Sequence, residues 1–109
     1  MSERRQAERV KVALDAHWEG VLAQCSGLVV DLSVTGCFIL TPDQVRSKEL
    51  IRIEIETPTG GMLYLWGEVV YQVTEMGFGL HFTGMTEREE TMLKLLIAYV
   101  RESQTELQG

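Results

Sequence analysis

A chain of 109 residues with 45% hydrophobic content has the size of one compact domain and enough apolar material for its own core. Its net charge of −6 argues against a general nucleic-acid binder, which needs a basic face to displace counterions from phosphates. The longest apolar runs fall well short of the roughly 18 residues of a membrane span, and no apolar stretch follows the opening "MSERRQAERV" to act as a secretory signal, so the expectation is a cytoplasmic single domain over residues 1–109, without membrane insertion, monomeric or weakly homodimeric.

The charge is unevenly spread. Arg4, Arg5, Arg9 and Lys11 crowd the start, offset by Glu3 and Glu8, and residues 1–9 read as a flexible, solvated, basic arm on an acidic body. The alternation of Val10, Val12 and Leu14 with Lys11, Ala13 and Asp15 predicts a first strand with one face in a core. "GLVVDLS" and "CFIL" predict two more, joined by Ser33 to Gly36. "LIRIEIE" is the cleanest case, with Ile51, Ile53 and Ile55 on one face and Arg52, Glu54 and Glu56 on the other. The turn residues of "TPTGG" lead to a long strand, "MLYLWGEVVYQV", in which Leu63, Leu65, Val69, Tyr71 and Val73 share a face and Gly67 signals a bulge or bend. "GFGLHF" makes a sixth strand. Thr86 and Glu89 then form a T-x-x-E capping box, after which Met92, Leu95, Leu96, Tyr99 and Val100 recur at helical spacing. The expected architecture is mainly β: a six-stranded antiparallel barrel closed by a C-terminal helix over residues 86–102.

Several sharper chemistries find no support in the pattern. Cys25 and Cys37 are too few for a disulfide framework and read as buried free thiols. His17 and His81 lack metal-ligand or catalytic spacing, and His81 reads as a surface residue, so the chain is not expected to be an enzyme. Trp18, Trp66 and the tyrosines lack the basic groove that single-stranded nucleic acid requires.

The stretch "VVDLSVTGCFIL", Val29 to Leu40, sets an acid, a hydroxyl and a glycine between two core strands. Strict alternation sends Leu28, Val30 and Leu32 to the core and leaves Asp31 and Ser33 outside. Gly36 is expected to supply a positive φ, with Asp31 and Ser33 bonding nearby amides. Turn chemistry and ligand contact both fit these three residues.

The leader adds to them. R-x-x-x-R (Arg5, Arg9), followed by D-x-S-x-x-G (Asp31, Ser33, Gly36), resembles the PilZ domain, the bacterial receptor module for cyclic di-GMP. The order of elements, from the arginine pair through the barrel and "GFGLHF" to the closing helix, extends the resemblance over nearly the whole chain. It implies a sensor that binds cyclic di-GMP without altering it, needs no cofactor, and couples the level of this second messenger to an effector protein in motility, biofilm or exopolysaccharide control. Arg5 and Arg9 would divide a guanine edge and a phosphate between them, since a guanidinium forks onto O6 and N7, bonds phosphate and stacks on purines. Asp31 suits the guanine N1 and N2 donors or holds an arginine. Ser33 would bond a phosphate or base, and Gly36 would admit the ligand close to the backbone. Arg4, immediately before the R-x-x-x-R pair, implies two stacked cyclic di-GMP molecules per site. The alternative within the family is a PilZ-like adaptor that binds protein and no nucleotide.

Overall fold

A computed structural model describes residues 8–20 and 24–108, with side chains as far as Gln104. Strands β1 (Val10–Glu19), β2 (Gln24–Leu32), β3 (Gly36–Leu40), β4 (Leu50–Glu56), β5 (Met62–Val73) and β6 (Gly77–Phe82) precede one helix, α1 (Glu87–Gln108). The strands close into a barrel in the order β1-β2-β3-β6-β5-β4, and every neighbouring pair is antiparallel. The six-stranded antiparallel barrel with a terminal helix is thus the observed fold.

The alternating segments behave as the period-two pattern dictates. Ile51, Ile53 and Ile55 of β4 are buried beside Val10, Leu14, Ala16 and Trp18 of β1, while the intervening charged residues face outward. Trp18 meets Phe78 edge-on across the core at 5.4 Å between ring centroids. The barrel closes where Ala16, His17 and Trp18 of β1 pair with Ile55, Glu54 and Ile53 of β4.

Two bulges overturn the expected faces elsewhere. Val29 and Leu32 of β2 are both fully buried, which an uninterrupted strand forbids for residues three apart. Between them β2 advances from Val29 to Asp31 while β3 moves only from Ile39 to Phe38, so Val30 is the extra residue and the parity of the strand flips. Of the expected core set Leu28, Val30 and Leu32, only Leu32 is buried; the other two are half-buried. On β5 the same happens at Val70, where Val69 pairs with Leu80 and Tyr71 with Gly79. Leu63, Leu65 and Val69 are therefore inside, whereas Tyr71 and Val73 are exposed. Gly67 is no bulge, since its pairings with Ile51 and Phe82 run without a shift on its side of the strand. A Cβ there would lie 2.5 Å from Leu80 Cγ, so its absence makes room for a core leucine.

The helix starts as read from the sequence. The Thr86 amide donates to Glu89 Oε1 at 3.0 Å and the Glu89 amide to Thr86 Oγ1 at 3.1 Å, the reciprocal capping box. Acidic Glu87, Glu89 and Glu90 occupy the first turn, where the helix dipole favours them. It ends later than expected, at Gln108 in place of Glu102, because no glycine or proline intervenes before Gly109. Its packed face differs too: Leu93, Leu96, Ile97 and Val100 are buried, while Met92, Leu95 and Tyr99 are exposed. The helix lies on β5 and β1.

Candidate functional site

The register between the first two strands sets the geometry of the site. Lys11 pairs with Asp31 and Val10 with Leu32. Arg9, two residues before Lys11, shares its face and sits diagonally from Asp31, a separation long side chains bridge readily. Its Nε lies 3.6 Å from Asp31 Oδ2, an ion-pair contact too long for a hydrogen bond. The Arg9 side chain is 55% exposed and that of Asp31 23%, so solvent partly screens the pair. Lys11, exposed and directly opposite Asp31, is a second cation at the site.

The two remaining motif residues depart from their expected placement. Ser33 is not on the outer surface: it is 1% exposed, because the Val30 bulge and the end of β2 turn the chain inward. Its Oγ accepts from the Thr35 amide at 3.1 Å and the Gly36 amide at 3.3 Å and lies 3.0 Å from Thr35 Oγ1. The Ser33 amide donates to the Gly36 carbonyl at 2.9 Å. The hydroxyl thus closes the turn as a side-chain mimic of backbone. Gly36 has no positive φ; among the described residues the glycines that do are Gly60 and Gly84. A Cβ on Gly36 would lie 2.2 Å from the Leu80 carbonyl oxygen, so glycine is required by the close approach of β3 to β6.

That approach brings in residues the motif does not name. Gly36 pairs with His81 and Phe38 with Gly79. The Tyr71 ring lies over Gly79, whose Cβ would stand 2.4 Å from Tyr71 Cε2, and stacks on Phe38 with centroids 5.9 Å apart and planes at 25°. Arg9, Thr35, Gly36, Tyr71, Gly79 and His81 together line a hollow of about 160 Å³. Sequence reasoning left Tyr71 and His81 out because their nearness to Gly36 depends on β3 pairing with β6. The signal available was the glycine of "GFG", a residue that commonly leaves a gap for a cross-strand aromatic.

Cys37 lies beneath the site. Burial pushes its thiol up to about 12, the Asp31 charge adds to the rise, and Arg9 opposes it, so at neutral pH it is a protonated, apolar filler. Cys25 is only half-buried, and its pKa is also raised, by desolvation first and then by Asp43. Among the described residues no group of His, Cys, Asp and Glu is placed to hold a metal ion, and no helix is long and apolar enough to cross a membrane. Arg4 and Arg5 lie outside the described residues.

A larger groove, about 780 Å³, lies at the other ends of β1 and β2 and includes His17, Cys25, Arg52, Glu54 and Trp66. It contains none of the motif residues. The smaller hollow is the one that includes the motif residues Arg9 and Gly36, with Asp31 beside it in contact with Arg9.

Comparison with solved structures gives close matches at low identity. YcgR of Escherichia coli in complex with c-di-GMP matches at a TM-score of 0.84 with 15% identity over 96% of this chain and 49% of that one. The inhibitor of motility MotI/DgrA of Bacillus subtilis matches at 0.74 with 18% identity over 94% of this chain and 52% of that one. The chain thus spans about half the length of these two proteins. The PilZ domain of E. coli YcgR with c-di-GMP, taken alone, matches at 0.80 with 14% identity over 96% of this chain and 98% of that domain. At such identities these likenesses establish the fold alone. A search among curated proteins finds no match. Residues 3–101 match the model of the PilZ domain, a span that takes in the arginine pair, the barrel and most of the helix, and the chain therefore belongs to the PilZ domain family.

Proposed function

We propose that this chain is a cyclic di-GMP receptor that signals to an effector protein and catalyses no reaction. The observation that carries the reading is the Arg9–Asp31 pair, 3.6 Å apart, of which Arg9 lines the hollow together with Gly36. A cyclic dinucleotide presents two phosphodiesters and two guanines, and this corner offers a forked cation, a carboxylate acceptor and an exposed aromatic ring. On this reading Arg9 keeps its contact with Asp31 or exchanges it for guanine or phosphate. Arg5 and Arg4, carried by the leader, supply the wall that the small hollow lacks, and Arg4 favours a second, stacked nucleotide. Ser33 acts through the turn it closes, and Gly36 by letting β3 sit close to β6.

The leader is joined to the helix at its root. Arg101 Nη1 contacts Glu8 Oε1, and Gln104 Nε2 donates to the Lys11 carbonyl. A ligand that re-seats Arg9 therefore disturbs groups bonded to α1, and this supplies a route from ligand to effector surface. The effector's class is motility or exopolysaccharide machinery on the family's pattern, and the protein acts in the cytoplasm.

Calorimetric titration of the full chain with cyclic di-GMP, with cyclic di-AMP and GTP as controls, tests the reading. Saturable heat for cyclic di-GMP, absent for GTP and weakened by rising salt, is expected, with a stoichiometry of two nucleotides per chain. No heat at tens of micromolar protein would overturn it in favour of a nucleotide-free adaptor.

A further inference from the structure

The exposed side of α1 carries a pattern that the barrel does not use. Arg88, Met92, Leu95, Tyr99 and Glu102 are all exposed and are spaced four, three, four and three apart, the 3.5-residue repeat of a helix seam. Leu95 is the centre and, at 65%, the most exposed large hydrophobic among the described residues. The barrel-facing set Leu93, Leu96, Ile97 and Val100 lies on a different side of the helix, so the seam is left to solvent.

The arrangement about Leu95 is self-complementary. A two-fold axis through Leu95, perpendicular to the helix, sets residue 95 − n of one copy against 95 + n of the other. Arg88 and Glu102, each seven residues from Leu95, then meet as opposite charges, twice per pair of helices. Size matches as well: Met92 meets Ala98, and Tyr99 meets Thr91, so each large side chain faces a small one. A parallel pairing would instead set Arg88 against Arg88 and Glu102 against Glu102. The Glu90–Lys94 ion pair, 3.4 Å apart, lies off the seam and does not obstruct it.

We propose that α1 is a homodimerisation surface, pairing antiparallel with α1 of a second copy of this chain about Leu95. The claim is independent of nucleotide binding. The seam from Arg88 to Glu102 is about 21 Å long, and a contact between two such helices alone buries less than the roughly 1,200 Å² of a standard stable interface. The dimer is therefore weak, forming in the micromolar range or above, and its concentration dependence is part of the expectation.

Analytical ultracentrifugation of the ligand-free full chain, from micromolar to near-millimolar concentration, tests this. The wild type should pass from monomer to dimer, and Leu95→Glu should stay monomeric with an unchanged circular dichroism spectrum and melting temperature. Arg88→Glu and Glu102→Arg should each weaken self-association about tenfold or more, because like charges then meet twice. Mixed in equal amounts, these two variants should form a heterodimer at wild-type strength, since both charge pairs are restored in that combination alone. A wild type that remains monomeric throughout, a dimer indifferent to Leu95→Glu, or a mixture no stronger than its components would each overturn the proposal.

Discussion

The Gln104 side-chain amide donates to the Lys11 carbonyl oxygen at 2.6 Å, joining the helix to the start of β1 across 93 positions of sequence. Lys11 is also the residue opposite Asp31. One short segment, Glu8 to Lys11, thus carries the Arg9 contact to the motif and the bonds to the helix, and coupling needs no longer path than that. Cyclic di-GMP should accordingly alter amide hydrogen exchange in α1 around Val100 to Gln104 in the wild type. In the double variant Arg101→Ala/Gln104→Ala that change should be lost while exchange around Asp31 still responds.

Arg9→Ala and Asp31→Ala should weaken cyclic di-GMP binding by roughly 10- to 100-fold, a loss of about 1.4 to 3 kcal/mol. Arg9 is exposed and Asp31 half-buried, so the solvent-screened pair contributes only about 1 kcal/mol to folding, and thermal melts of both variants should stay near wild type. Arg9→Lys should recover little of the loss, because an ammonium lacks the planar fork. A full recovery by lysine would show that charge alone is read there.

The turn makes a different prediction. Gly36→Ala drives a Cβ against the Leu80 carbonyl oxygen, and backbone cannot rotate aside as a side chain does. A destabilisation of about 1 to 3 kcal/mol is expected in urea melts. Ser33→Ala removes the acceptor of the Thr35 and Gly36 amides and should cost about 1 to 2 kcal/mol. Cys in place of Ser33 would not restore these bonds. If Ser33→Ala melted like wild type, the hydroxyl would have no part in holding the turn.

Cys37 gives a pH signature. Its unfolded thiol titrates near 9.0 and its folded thiol near 12. Above pH 9 the unfolded state loses this proton while the folded state retains it, so stability falls as pH rises from 9 towards 12 and is fully present below. Cys37→Ala, although less stable at neutral pH, should lose this part of the alkaline decline. The check is the slope of unfolding free energy against pH in the two proteins. At pH 8, a thiol reagent should label Cys25 well before Cys37 in the native state.

What the sequence made legible follows from how local each signal is. The β4 alternation, the Thr86–Glu89 capping box and the strand order in the chain depend on neighbours within a few residues, and the structure matches them. The faces of β2 and β5 depend on Val30 and Val70 being extra residues, which only the partner strand reveals; nothing in "LVVDL" or "EVVYQ" distinguishes a bulge from a regular strand. Alternation puts Asp31 outside, on the face where it lies, but the same parity argument fails for Ser33, which the inward turn of the chain buries. Gly36 reads locally as a turn residue, whereas its reason is a strand 44 residues further on, at Leu80. Tyr71 and His81 joined the site for the same cause, because the pairing of β3 with β6 is a property of the closed barrel.

The most direct measurement is a backbone amide shift titration of the isotope-labelled full chain with cyclic di-GMP. The account predicts saturable shifts that are largest at Arg9, Lys11, Asp31, Thr35 to Cys37 and Gly79 to His81, with the amides of Arg52 and Trp66 unmoved. Shifts centred instead on the groove of Arg52 and Trp66, or none at saturating nucleotide, would contradict it.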